Sequence, residues 1–238
     1  MTEAANSPNN LTLAQHAAAK IVGILYLVTM ATSIIGFVLR GPMFARGDAV
    51  ETATRIAASE RLYRLSLVTD LITVAGVIVL LWAIYVVLKP VEKNVALLAA
   101  FFRLAENIVL SGVTLCGFAT VALLGAAPHL RAFAATELQA LIYTLAVRVH
   151  GAGFNVGFVF LGLGSTVFAY LWLKSGYIPR WIAIWGILSS LLLSVVTLGI
   201  MIFPRWGALG LLHMMPLGLF EVGLGLWLLI KGLRTPLA

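Results

Sequence analysis

Charge is what this sequence has least of. Its 238 residues include 16 Lys+Arg and 9 Asp+Glu, or 11% charged, where a water-soluble domain carries about 25%. So few charges cannot cover a folded surface of this size in water. With 61% hydrophobic residues and a mean hydropathy of +1.04, that surface must meet lipid, which excludes a soluble domain. Cysteine is nearly missing. Cys116 stands alone in an apolar run, so no internal disulfide or thiolate metal cage can form, and the thiol reads as inert and buried. HExxH and HxxxH spacings, a phosphate-binding loop, a nucleotide fingerprint and a haem-attachment motif are all lacking. No metal site and no cofactor is therefore expected.

What the chain does have is long apolar runs cut by charges, Pro and Gly. Each run compares well with the roughly 20 residues needed to cross a bilayer. Helices are expected from about Ile21 to Leu39, Leu65 to Leu88, Val95 to Leu124, Gly151 to Leu173, Trp181 to Phe203 and Leu209 to Ile230. The second half of the polar stretch between residues 41 and 64 reads as a helix lying at the surface, and residues 138–147 are mildly amphipathic. The fold class is thus all-α, a polytopic transmembrane bundle of six helices with short surface helices in the outer loops. Residues 1–19 read as a flexible N-terminal segment, 20–232 as one transmembrane domain and 233–238 as a short tail. The first apolar run ends in FVLRGPMFARG without a cleavage site, so it reads as a retained helix rather than a signal peptide.

The net charge of +7 raises nucleic acid as a partner, but the basic residues sit at the ends of apolar runs. That pattern suits lipid headgroups and topology, so the lipid bilayer is the expected partner and nucleic acid is not. Lys20, Lys89, Lys93, Lys174 and Lys231, with Arg180 and Arg234, fall on the side holding both termini. The other side holds Arg131, Arg148 and Arg205, diluted by Asp48, Glu51, Glu60 and Glu137. Both termini are therefore expected in the cytoplasm, with the chain in the cell (plasma or inner) membrane. Oligomeric state is not readable.

Four stretches carry a resemblance: Ile21 to Ser33 (IVGILYLVTMATS), Arg103 to Asn107 (RLAEN), Gly162 to Trp181 (GLGSTVFAYLWLKSGYIPRW) and Pro216 to Gly232 (PLGLFEVGLGLWLLIKG). Together they resemble a bacterial family of multi-helix membrane proteins catalogued as a domain of unknown function. The turn between the fourth and fifth helices is the most specific of them. The resemblance implies a membrane location and supplies no catalytic residues.

Chemistry would have to come from polar groups inside the spans. An ionisable side chain near the bilayer centre costs roughly 2.5–3.5 kcal/mol on insertion scales, so it faces the bundle interior and finds partners. Arg103, Glu106, Asn107, Ser111 and Thr114 fall on one helical stripe, as do Tyr63, Ser66, Asp70 and Thr73. Tyr26, Thr29 and Ser33 form a third stripe, and Ser190, Ser194 and Thr197 a fourth. Counting about 1.5 Å per residue predicts an inner cluster of Arg103, Glu106 and Glu221, with Arg103 touching a carboxylate. It also predicts an outer cluster of Asp70, Asn155 and His213, joined in some arrangements by His150. Arg103, Glu106, Glu221, Asp70, Asn155 and His213, with Asn107, are the candidate ligand- or proton-handling residues. With every group ionised, three acids face one arginine. Either one acid, by preference Glu221, stays neutral, or a cation or a protonated His213 restores the balance.

Pro216, within the expected sixth helix, should interrupt it and free carbonyls near His213. Gly153 and Gly157, in GxxxG spacing, and Gly218, Gly223 and Gly225 should let helices four and six approach their neighbours closely. A rhomboid-type protease is excluded: Ser165 lies in GLGST rather than G-x-S-G, and His213 sits at a different depth. Three readings stay open. The first is a small transporter or ligand-binding protein, taking a small molecule or lipid at a polar midplane site. The second is a non-catalytic subunit or sensor with structural ion pairs, and the third an intramembrane enzyme acting on a lipid.

Overall fold

The computed structural model describes residues 11–126 and 134–235. Residues 1–10, Arg131 and tail residues 236–238, on which parts of the expected topology fall, lie outside the described residues. Among the described residues the chain is helical throughout, with no strand. Six stretches are long and apolar enough to cross a membrane: Leu13–Met43, Glu60–Leu88, Lys93–Gly125, Ala135–Ser175, Arg180–Ile202 and Arg205–Ile230. A chain with six such helices is a multi-pass membrane protein, because a helix satisfies its own backbone polar groups where lipid cannot.

The helices are α1 (Leu13–Arg40), α2 (Ala49–Ala58), α3 (Glu60–Leu88), α4 (Lys93–Ala126), α5 (Ala135–Tyr143), α6 (His150–Ser175), α7 (Arg180–Ile202) and α8 (Met215–Ile230). Local chemistry sets their ends. Thr12 and Gln15 form a reciprocal capping box: the Gln15 N–H donates to Thr12 Oγ1 at 3.1 Å, and the Thr12 N–H donates to Gln15 Oε1 at 3.0 Å. That cap starts α1 at Leu13, so residues 13–19 are helical rather than part of a loose segment. Asp48 caps α2 by accepting the Glu51 N–H at 2.8 Å. Glu137 reaches back to the Ala134 N–H at 3.1 Å and starts α5. Gly232, with φ +70°, closes α8 by donating to the Trp227 carbonyl at 3.2 Å.

Two stretches depart from expectation. The amphipathic piece and the fourth spanning helix are one continuous element, joined by a π-helical turn over Thr144–Val149. The sixth span is shorter as an α-helix than its apolar run, because Pro204–His213 is 3-10 with a break at Gly210. Pro216 falls in the first turn of α8, where a missing N–H costs nothing, so it begins the helix instead of kinking it.

The chain divides into two compact units. Unit 1 comprises residues 1–28, 76–106 and 158–238. Its α7 is built inside out: Ser189, Ser190, Ser194 and Thr197 are buried, while Trp181, Leu188, Val195 and Ile202, seven residues apart, are each at least 60% exposed. In water that arrangement would be reversed. In lipid the apolar stripe is already solvated, and hydroxyls and small side chains are what pack inward. Gly162 meets the α7 backbone: a Cβ there would lie 2.5 Å from the Ser190 carbonyl oxygen. Gly23 and Gly225 approach each other's carbonyls in the same way. Gly223 has open space, so the expected packing role belongs to Gly225.

Unit 2 comprises residues 29–75 and 107–157. Its core gathers Met43, Ala53, Ile56, Tyr63, Leu67 and Val121 with Ile142 and Ala146, and so packs the apolar face of α2 against α5 and the π-turn. Thr32 and Thr73 hydroxyls meet at 2.6 Å. Thr32 thus takes the inward place expected for Ser33, which is exposed.

Candidate functional site

In unit 1, α4 presents Arg103 and Glu106, one turn apart, and α8 presents Glu221. Arg103 Nη1 lies 3.0 Å from Glu106 Oε2, and Arg103 Nη2 lies 4.0 Å from Glu221 Oε1. The expected contact between Arg103 and a carboxylate is present twice. At Glu106 the two atoms are out of line for a hydrogen bond, so the attraction there is Coulombic. Arg103 and Glu106 are buried, while the Glu221 side chain keeps 15% exposure. Tyr26 of α1, the first residue of the third polar stripe, is also buried. Gly164 of α6 permits this arrangement, since a Cβ there would stand 2.7 Å from Arg103 Cγ and 3.0 Å from the Ala99 carbonyl oxygen. One guanidinium between two carboxylates leaves one negative charge in excess.

In unit 2, Asp70 has a partner that sequence reading missed. Arg40, the last residue of α1, binds it through both guanidinium nitrogens, the Nη2–Oδ1 bond being 3.0 Å. Both side chains are largely buried, at 6% and 14% exposure. A terminal Arg beside Gly-Pro reads as a headgroup anchor, but helical side chains lean toward the N-terminus and carry the charge back along the helix. Gly36, one turn before Arg40, gives it room: a Cβ would lie 2.7 Å from Thr69 Oγ1 and 3.0 Å from Asp70 Oδ1. The expectation of three buried acids against one base is corrected accordingly, because Arg40 neutralises Asp70. Asn107, also in unit 2, donates to the Val74 carbonyl at 3.1 Å and ties α4 to α3.

Of the expected outer grouping, Asp70 and Asn155 lie in unit 2 and His213 in unit 1. Asp70 belongs to Arg40, and His213 Nδ1 meets the Gly210 carbonyl at 2.8 Å within its own 3-10 segment. Asn155 lines an open cleft of about 550 Å³ in unit 2. His150 stacks on Phe154 with centroids 4.6 Å apart and meets the edge of Phe44 at 6.3 Å. Its Nε2 is buried without a hydrogen-bond partner. Among the described residues no group of three His, Cys, Asp or Glu side chains could hold a metal ion.

Fold and buried charges together define a polytopic all-α membrane protein with a polar, ion-paired interior. The chain belongs to the family described as Domain of unknown function (DUF4386), whose model matches residues 21–232. No curated protein and no solved structure matches it.

Proposed function

We propose that this chain is a small proton-handling membrane protein, a transporter or ligand-responsive carrier whose working centre is Arg103, Glu106 and Glu221. The observation that carries the reading is the charge excess in the Arg103 cluster: one arginine between the buried Glu106 and the half-buried Glu221. A low-dielectric interior does not hold an uncompensated charge, so a proton or a cation joins the cluster. Glu106 is the nearer acid to Arg103 and keeps its charge. Glu221, farther away and partly reachable, takes the proton. A proton needs no large cavity, which suits a cluster packed as tightly as Gly164 and Arg103 are.

Purified chain in liposomes loaded with a pH-sensitive dye tests this under an imposed potassium diffusion potential. Wild type should move protons faster than protein-free liposomes, and Glu221→Gln should abolish the difference. Wild-type flux equal to that of empty liposomes would sink the reading.

A second reading is a membrane subunit or sensor whose ion pairs only hold helices together. The Arg40–Asp70 pair favours it, being fully compensated, and so does the position of the cleft, whose lining does not include the Arg103 cluster. On that reading Glu221→Gln changes stability and no proton flux exists to lose.

A further inference from the structure

The cleft in unit 2 has a chemistry of its own. Arg46, from the loop after α1, and Arg148, from the π-turn, both line it, and no acidic residue does. The acids closest in sequence are engaged elsewhere: Asp48 caps α2 and Glu51 pairs with Arg55. Among the described residues neither Arg46 nor Arg148 has an ion-pair partner. The Arg148 guanidinium lies 5.8 Å from the centre of the Tyr143 ring. The Tyr143 hydroxyl accepts the Gly47 N–H at 3.3 Å, which leaves its own proton to donate into the cleft. Gly47, with φ +76°, makes the turn that brings the Arg46 loop to this tyrosine. Asn155 adds a neutral amide and Phe44 and Val147 an apolar wall.

Depth points the same way. The stretch Ala135–Ser175 has 41 residues, roughly 60 Å of helix, about twice the hydrocarbon thickness of a bilayer. About 20 residues back from Ser175 reaches Asn155, so Arg148 and Tyr143 stand at or beyond the headgroup level. The first span ends at Met43, three residues before Arg46. Two guanidiniums without an ion-pair partner among the described residues, a phenol and an amide around an open, acid-free cleft at that level match the oxygens of a phosphate group, which Arg binds as a fork. π-Helical turns are themselves frequent at functional sites.

We propose that this cleft binds a phosphate-bearing ligand, with Arg46 and Arg148 holding the phosphate and Tyr143 and Asn155 orienting it. The phosphate belongs either to a lipid headgroup or to a soluble anion. Full-length protein, stripped of lipid in a neutral detergent, is titrated with dioctanoyl phosphatidylglycerol, dioctanoylglycerol and inorganic phosphate, with thermal stabilisation as the readout. Stabilisation by phosphatidylglycerol but by neither other probe supports the site and identifies a lipid. Equal stabilisation by inorganic phosphate supports the site and identifies a soluble anion. R46Q/R148Q should weaken the apparent affinity about tenfold or more, the loss expected for charge-assisted pairs. R64Q, at an exposed arginine paired with Glu60 outside the cleft, should leave it unchanged. Should the double variant not fold, R148K keeps the charge, loses the fork, and should still weaken binding several-fold. Binding of dioctanoylglycerol as tight as that of phosphatidylglycerol would overturn the proposal. So would no stabilisation by either phosphate probe, or affinities of the arginine variants equal to wild type.

Discussion

Arg103 and Asp70 are each half of a buried ionic contact, but the two contacts respond differently to losing a member. Arg103→Met leaves Glu106 and Glu221 facing each other without a cation. It should cost about 3–5 kcal/mol, the penalty for an uncompensated buried charge, seen as a large drop in the melting temperature of the detergent-solubilised protein. Glu221→Gln instead replaces the protonated acid by a neutral amide of the same shape, and the same melt should show stability equal to or above wild type. A large loss in that variant would mean that Glu221 is structurally paired rather than surplus. In unit 2 no acid is in excess, so Asp70→Asn should destabilise by about 3–5 kcal/mol, leaving Arg40 buried alone. R40M/D70L should recover to within about 1 kcal/mol of wild type, since replacing a whole buried pair is often neutral or better. A double variant as unstable as Asp70→Asn would show that the pair does more than neutralise itself.

Helix-to-helix contact is set by what a glycine faces. At Gly164 a Cβ would meet the Ala99 carbonyl oxygen at 3.0 Å and the Arg103 backbone nitrogen at 3.1 Å, and neither can move without moving α4. Gly164→Ala should therefore cost about 1–3 kcal/mol as overpacking and disturb the Arg103 contacts. At Gly112, within α4, a Cβ would meet nothing within 4 Å. There the roughly 1 kcal/mol gain in helix propensity meets no crowding, so Gly112→Ala should melt at or above wild type. Equal losses at the two positions would contradict this distinction. The sequence showed both glycines but not which faced backbone, because that depends on the neighbouring helix. The same limit hid other elements. The Thr12–Gln15 cap is written in T-L-A-Q, yet it sits before the apolar run that marks the span. The π-turn leaves no hydropathy mark, and Gly210, which breaks the last span's entry, looks like any other small residue in an apolar stretch.

Six spans, an all-α class and inward polar stripes were legible across the whole chain, because lipid imposes length and apolarity on every crossing helix. The Arg103 cluster was legible too, since its stripe on α4 and the isolated acid on α8 both contradict their surroundings. Arg40 was not, because a basic residue at a helix end usually serves the membrane surface, and only the fold shows it turned back to Asp70. The cleft was the least readable feature, since Arg46 and Arg148 lie about a hundred positions apart and no periodicity joins them. What unites these findings is charge accounting inside lipid: Asp70 is balanced by Arg40, and on the proposed reading the Arg103 cluster is balanced by a proton. Infrared spectroscopy of the reconstituted protein near neutral pH tests that most directly. Wild type should show the carbonyl band of a neutral carboxylic acid, and Glu221→Gln should lose it while Asp70→Asn keeps it. The absence of any such band in wild type, or its survival in Glu221→Gln, would contradict the account.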